Sequence, residues 1–141
     1  MNVNSEILLI EDDAQSVELT VRTLKKNHLV NNIQVVDNGV DALDYIFCQG
    51  TFATRDIRNL PALVLLDLVL PKVSGLEVLR RIRADERTQS IPVIMLSASR
   101  EELDILVSHK LGANGYIVKP MDIEKFNLKF REIGLPWMLV R

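Results

Sequence analysis

Short apolar runs alternate with amphipathic stretches along the whole chain. The first run, Ile7–Ile10, is entirely apolar and is followed at once by three acidic residues. Such a run is typical of a strand buried on both faces rather than one half-exposed to water. Similar runs at 33–36, 62–66, 93–96 and 116–118 predict four more strands.

Helical spacing separates these runs. Apolar residues at 14, 17, 21 and 24 lie three and four positions apart, and lysines collect near the end of that stretch. Further helices are predicted from Ala42 to Phe47 and over 75–84, 101–110 and 122–133. The segment 49–59 lacks such spacing and is long for a helix-to-strand connection, so it is predicted to be an extended surface loop.

The strict alternation of strands and helices predicts an open parallel sheet with helices on both faces, because parallel strands need right-handed crossover connections. No Pro/Gly/Ser-rich linker divides the chain, so residues 1–141 are expected to form one domain. Ligands of such sheets bind at the carboxyl ends of the strands. The residues that follow each strand are therefore the candidates for function.

Candidate functional residues follow four of the five predicted strands. Glu11 and Asp12 follow the first, Asp67 the third, Ser97 the fourth and Lys119 the fifth. Carboxylates that converge on one edge repel each other, and hard oxygen ligands of this kind suit Mg²⁺. The sequence therefore predicts a magnesium site at the carboxyl edge.

Each of these residues also has an ordinary structural interpretation. An acidic triplet before a helix commonly caps that helix, and Asp13 is a candidate cap. Asp67 alone is compatible with an Asx turn, and the Lys119-Pro120 pair with a solvated charge before a helix. Four such residues at successive strand ends make coincidence improbable.

The residue spacing after the third strand resembles that of response regulator receiver domains, the phosphoacceptor half of two-component signalling. That family carries a phosphoacceptor Asp, a Pro four residues later and a Gly four beyond, which here are Asp67, Pro71 and Gly75. The resemblance spans essentially the whole chain and extends to Glu11-Asp12, Ser97-Ala98, Tyr116 and Lys119-Pro120. It implies a flavodoxin-like (βα)5 fold, a doubly wound parallel sheet with strand order 2-1-3-4-5.

The resemblance also implies a chemistry. A histidine kinase would donate a phosphoryl group to the Asp67 carboxylate, which is the nucleophile. Asp12, Asp67 and the backbone carbonyl of Val69 would bind Mg²⁺ directly, and Glu11 would act through water. The product is an acyl phosphate carried by the chain, so the protein is not expected to be a conventional enzyme.

Three further residues take roles implied by the family. Lys119 would supply a second positive charge to the phosphoryl group, and Ser97 a hydroxyl donor. Movement of the Ser97 hydroxyl would open space for the Tyr116 ring, which makes these two residues a candidate switch. Packing under the fourth helix is the alternative for Tyr116.

Val69 and Ser99 depart from what the family often carries. Neither side chain offers the carboxamide or acid that orients a water for attack on the acyl phosphate. Slow loss of the phosphoryl group is the expected consequence.

Composition narrows the classes of function. The chain has 141 residues, of which 48% are apolar and 26% charged, and its net charge is −2. This balance argues against sequence-independent nucleic-acid binding. A single cysteine, Cys48, excludes an internal disulfide and indicates the cytoplasm, and no apolar run approaches membrane-spanning length.

The C-terminal segment 134–141 is unusually apolar. Trp137, Met138, Leu139 and Val140 are consecutive and need to be covered, either by this domain's own helices or by a partner, including a second copy of the chain. This end and the long 49–59 segment resemble stand-alone regulators that pair with phytochrome-type histidine kinases. With no output domain after the last helix, the protein is expected to act by switching protein–protein contacts.

Rival classes fit the residues less well. A haloacid-dehalogenase-type phosphatase needs a second Asp where Val69 stands, and nucleotide binding needs a Gly-rich loop after a strand. The remaining alternative is a pseudo-receiver, a binding module of the same fold that is never phosphorylated.

Overall fold

The computed structural model describes residues 6–27 and 31–134, in which five parallel strands alternate with five α-helices. In chain order the elements are β1 (Ile7–Ile10), α1 (Ala14–Lys26), β2 (Ile33–Val36), α2 (Gly39–Phe47), β3 (Leu63–Leu66), α3 (Gly75–Ala84), β4 (Val93–Ser97), α4 (Glu102–Lys110), β5 (Gly115–Val118) and α5 (Ile123–Ile133). The sheet order is β2-β1-β3-β4-β5. The predicted flavodoxin-like doubly wound fold is confirmed.

The two faces of the sheet carry separate apolar cores. Leu8 and Ile10 of β1 pack with residues of α2 and α3, whereas Ile7 and Leu9 pack with Phe126 of α5 and with α1. Successive side chains of a strand point to opposite faces, so a strand with helices on both sides must be apolar throughout. This explains why the strands were recognisable as continuous apolar runs. No helix of the described chain is long and apolar enough to cross a membrane.

Polar caps set where the helices begin. Asp13 caps α1, as predicted, by accepting a hydrogen bond from the backbone N–H of Gln15. Asn38 caps α2 by accepting from the N–H of Asp41 at 2.8 Å. Because of this cap, α2 begins at Gly39, three residues before the first apolar residue of its predicted spacing.

The connection between α2 and β3 is a surface loop, as predicted, but it is not extended throughout. It contains a single-turn 3₁₀ helix over Gly50–Phe52, and the Phe52 ring meets the edge of the Tyr45 ring with centroids 5.0 Å apart. The Arg55 guanidinium lies 3.7 Å above the Tyr45 ring and donates to the carbonyl of Asn59 at 2.9 Å. An aromatic residue and an arginine within a polar segment thus anchor it to α2.

Candidate functional site

The strand register brings four chain segments to one edge of the sheet. Ile10 pairs with Leu66, and Leu66 with Met95, so β1, β3 and β4 reach the carboxyl edge nearly level. The backbone N–H of Asp67 donates to the carbonyl of Ile10 at 3.0 Å, and that of Lys119 to the carbonyl of Ser97 at 2.7 Å. Ser97 itself is the last residue of β4, one position beyond the predicted strand end. The residues predicted for the site therefore lie together.

Three carboxylates form the centre of this edge. Oxygens of Glu11, Asp12 and Asp67 lie within 4.8 Å of one another. Glu11 is only 2% exposed and Asp67 7%, whereas Asp12 faces solvent. Carboxylate oxygens so arranged are the donor set that a hard divalent cation prefers.

Lys119 is the cation of the site. Its ammonium bonds the Glu11 carboxylate and lies 3.1 Å from Oδ2 of Asp67, with the Lys119 side chain 16% exposed. When all groups are ionised, three carboxylates and one ammonium leave a local charge of −2, which one divalent ion neutralises. The donor set and the charge both fit a divalent metal.

Burial and the neighbouring charges shift the pKa values of Glu11 and Lys119. Burial, reinforced by the adjacent Asp67 carboxylate, raises the pKa of Glu11 to about 7 despite its bond to Lys119. Burial lowers the pKa of Lys119, but the bond to Glu11 and the charge of Asp67 outweigh it, so that pKa lies above its usual value. Lys119 therefore remains positively charged at neutral pH.

The loop between β3 and α3 is held tightly against the site. The Gly75 N–H donates to the carbonyl of Leu68 at 3.0 Å, and a Cβ at position 75 would lie 2.0 Å from the carbonyl oxygen of Asp67. Only glycine permits this approach. The Val69 N–H donates to Oδ1 of Asp67 at 3.3 Å, while the Val69 side chain is 72% exposed.

Ser97 and Tyr116 meet through Ser99. The buried hydroxyl of Ser97 accepts from the backbone N–H of Ser99 at 3.2 Å, and the half-buried Tyr116 donates its hydroxyl to the carbonyl of Ser99 at 3.0 Å. Tyr116 thus makes a specific polar contact just before α4 in addition to packing against the apolar core.

Sequence reasoning missed the contribution of Ser99 and Asp104. Ser99 had entered only as a residue that lacks a carboxamide, yet its hydroxyl donates to Oδ2 of Asp104 at 2.5 Å. The pattern that could have predicted this bond is a serine shortly before a helix followed by an acid in the first turn of that helix. His109, for which no role was predicted, lies in the last turn of α4, away from the carboxyl edge. The apolar residues Trp137, Met138, Leu139 and Val140 lie outside the described residues.

A groove of about 360 Å³ opens beside the site, between α1 and the segment after β5. Leu19 of α1 is 42% exposed there. The residues around the groove are Asp13, Gln15, Ser16, Leu19, Thr20, Ala98, Lys119, Pro120 and Met121. The Lys119-Pro120 peptide bond in its wall is cis.

Sequence comparison identifies one family over nearly the whole chain. Residues 7–131 match the response regulator receiver domain. A relative named "Probable methanogenesis regulatory protein FilR2", from Methanothrix harundinacea, is 35% identical over 132 residues, which are 94% of this chain and 83% of that protein. Response regulator Rcp1 from Synechocystis is 32% identical over 132 residues, covering 94% of this chain and 88% of Rcp1.

Solved structures show the same fold. The bacteriophytochrome response regulator AtBRR superposes with a TM-score of 0.88 at 41% identity, covering 98% of both chains. The Mn²⁺-bound form of Rcp1 superposes with a TM-score of 0.77 at 29% identity, covering 97% of this chain and 99% of that one. Phytochrome response regulators are thus among the structures similar to this chain.

Proposed function

The chain belongs to the response regulator receiver family, and we propose that it is a switch whose Asp67 accepts a phosphoryl group from the phosphohistidine of a sensor kinase. The P–N bond of the donor breaks, its electron pair stays on the imidazole, and a P–O bond forms to the Asp67 carboxylate. The observation that carries the proposal is the Lys119 ammonium 3.1 Å from Oδ2 of Asp67 within the acidic cluster. Because the group stays on the chain, the protein is not a conventional enzyme.

Receiver domains bind Mg²⁺ or Mn²⁺ at an acidic pocket, and we propose Mg²⁺ for this one. Asp12, Asp67 and the backbone carbonyl of Val69 would hold the ion directly, and Glu11 through water. When bound, it would neutralise the negative charge shared by the carboxylate and the phosphoryl oxygens. The Mn²⁺-bound form of Rcp1 supports a divalent ion, and so does the spacing of the three carboxylates here.

Lys119 and Ser97 would act on the phosphoryl oxygens. The Lys119 ammonium is already oriented by its bond to the buried Glu11, so little reorganisation is needed when negative charge arrives. Ser97 would donate its hydroxyl to the same group. To do so, the Ser97 hydroxyl would move toward the phosphoryl group. We propose that this movement changes the contact of Tyr116 with Ser99, so that Ser97 and Tyr116 form the switch.

The acyl phosphate is expected to persist. The Val69 side chain lies exposed beside Asp67, and neither it nor Ser99 carries the carboxamide or acid that would orient a hydrolytic water. Substitution Val69→Asn should shorten the half-life of the phosphorylated protein, measured as loss of the adduct by intact mass. An equal or longer half-life in Val69→Asn would contradict this explanation.

Intact mass after incubation with acetyl phosphate and Mg²⁺ tests the central proposal. The expected result is a single phosphoryl adduct in wild type, none in Asp67→Asn and none in the presence of EDTA. Asp13→Asn is the matched control, because Asp13 is an acid beside the cluster whose carboxylate caps α1 instead. Folded wild type without any adduct would instead favour the phosphorylation-independent pseudo-receiver.

The groove next to Lys119 is the proposed docking place of a histidine kinase of the phytochrome type, the class suggested by the name of AtBRR. An exposed apolar Leu19 beside the phosphoryl acceptor suits contact with a helix of the donor. Leu19→Arg should slow transfer from such a kinase and leave acetyl phosphate labelling unchanged. Leu128→Arg on α5 is the control, since Leu128 is comparably exposed and not part of the groove. Equal rates in both variants would exclude this docking place.

The proposal also covers the domain extent, the location and the C-terminal interface of the chain. We propose one receiver domain over 1–141, acting in the cytoplasm without binding nucleic acid or membrane. Its apolar segment 134–141 would form an interface with a partner or in a homodimer. Light scattering of wild type beside Trp137→Ala tests the homodimer, with a dimer expected only in wild type. A monomer in both would exclude the homodimer and leave this domain's own helices or a different protein to cover the tail.

A further inference from the structure

We propose that Asp104 is a positioning residue that fastens α4 to the segment contacted by Ser97 and Tyr116, so that a change at those residues is transmitted to α4. The transmission rests on the proposed function, whereas the fastening is a property of the unphosphorylated fold. We call the Ser99–Asp104 side-chain contact the α4 latch.

The backbone of Ser99 connects to both proposed switch residues. Its N–H donates to Oγ of Ser97 at 3.2 Å, and its carbonyl accepts from the Tyr116 hydroxyl at 3.0 Å. The two backbone groups belong to one residue, so Ser97 and Tyr116 cannot shift independently of it. A movement of either side chain is therefore expected to displace Ser99.

The side chain of Ser99 connects to α4. Its hydroxyl donates to Oδ2 of Asp104 at 2.5 Å and accepts from the backbone N–H of Glu101 at 3.3 Å. A hydrogen bond to an ionised carboxylate is roughly twice as strong as one between neutral groups. The latch therefore links the first turn of α4 to the residue on which Ser97 and Tyr116 converge.

The first turn of α4 depends on this contact because the helix has few other constraints. Glu101 occupies the N-cap position, and within the described chain its side chain makes no capping bond. Ser108 is the one residue of α4 that is buried, while Leu103 and Leu106 are 66% and 52% exposed. A helix with little buried surface opens locally at a low free energy, so one polar contact in its first turn is a large part of its local stability. Loss of the latch should thus free the start of α4 without unfolding the domain.

Two substitutions remove the latch from opposite sides. Ser99→Ala deletes the hydroxyl and keeps the backbone groups that contact Ser97 and Tyr116, and Asp104→Ala deletes the acceptor. Without any phosphate donor, hydrogen exchange of the Ile105 amide, which donates to the carbonyl of Glu101 at 3.2 Å, should be about five-fold faster in each variant and no faster in the double variant. The Glu101 amide does not serve this comparison, because Ser99→Ala also removes the acceptor of its own bond. Asp104→Asn, which keeps an oxygen acceptor, should exchange at a rate between wild type and Asp104→Ala.

A second readout follows Tyr116. The chain contains two tyrosines, so in protein labelled with 3-fluorotyrosine the variant Tyr45→Phe assigns the Tyr116 ¹⁹F resonance. That resonance should shift in Asp104→Ala because both Asp104 and Tyr116 are hydrogen-bonded to Ser99. Glu102→Ala is the matched control, because it removes an exposed acid from the same helical turn and should change neither readout.

The phosphorylated state tests transmission separately. With acetyl phosphate and Mg²⁺, α4 exchange is expected to change in wild type. Asp104→Ala should still form the Asp67 adduct, but its α4 exchange should not change on phosphorylation. If wild type forms no adduct, the proposed function fails while the phosphate-free experiments still decide the latch. The latch itself is overturned if Asp104→Ala exchanges like Glu102→Ala, or if the effects of Ser99→Ala and Asp104→Ala add.

Discussion

Replacing Gly75 by alanine should both destabilise the protein and slow its phosphorylation. The added Cβ would lie 2.0 Å from the carbonyl oxygen of Asp67 and 2.9 Å from that of Leu68. Real Cβ atoms essentially never approach another atom closer than 3.0 Å. Both partners are backbone atoms, so no side-chain rotation relieves the contact, and the start of α3 must move away from Asp67.

Three contributions set the expected loss in the free energy of unfolding of Gly75→Ala. Steric overpacking costs about 1–3 kcal/mol, and weakening the 3.0 Å bond from the Gly75 N–H to Leu68 adds about 1 kcal/mol. The better helix propensity of alanine returns up to about 1 kcal/mol. The expected net loss in free energy of unfolding is therefore about 2 kcal/mol. A displacement of about 1 Å at the carboxylate should slow phosphorylation by roughly a hundredfold.

Urea unfolding and the rate of labelling by acetyl phosphate measure the two effects. Gly134→Ala is the control, because Gly134 has a φ of +82° but a Cβ added there would have no atom within 4 Å. This variant should lose about 1 kcal/mol from backbone strain and be phosphorylated at the wild-type rate. A Gly75→Ala protein with both wild-type stability and wild-type labelling would refute the steric reasoning.

Three further perturbations test the electrostatics and the supports of the site. Lys119→Met leaves two buried carboxylates without their cation and should cost about 3 kcal/mol in urea unfolding as well as slow labelling; unchanged labelling would exclude a role for the ammonium. In EDTA, stability should fall by at most about 3 kcal/mol from about pH 5 to pH 8, because the folded pKa of Glu11, about 7, exceeds its ordinary 4.5 and folding takes up a proton between them. Urea titrations measure this slope, and a slope that persists in Glu11→Gln would assign it to another group. Arg83→Met removes bonds to the carbonyls of Gly112 and Ile91 at 2.9 and 2.6 Å, and should cost about 2 kcal/mol with labelling unchanged, whereas the exposed Arg81→Met should cost nothing measurable.

Local pattern was sufficient for the strands and for most helices. The central strands β1, β3 and β4 are buried on both faces, so burial alone required the apolar runs from which they were predicted, whereas the edge strands β2 and β5 are only partly buried. The start of α2 was placed late because the Asn38 cap lies outside the apolar periodicity. The segment before β3 was predicted to be extended because nothing local indicates that Arg55 lies over the ring of Tyr45.

The sequence by itself determined which residues reach the carboxyl edge. Strand ends follow from the apolar runs, and parallel strands carry all such ends to the same side of the sheet. The positions of Asp67, Lys119 and the acidic pair were therefore predictable before any distance was known. Gly75 was singled out by the resemblance to the family alone, and its close approach to the carbonyl of Asp67 is visible only in the fold.

The tertiary structure alone decided how these side chains interact. The bond from Lys119 to Glu11 joins residues 108 positions apart, and the burial around it is what raises the pKa of Glu11. The bond from Tyr116 to the carbonyl of Ser99 likewise exists only because the register of β4 and β5 brings the two residues together. A linear pattern reports which side chains become buried, whereas distances and ionisation depend on strand register and on the surroundings that distant segments create.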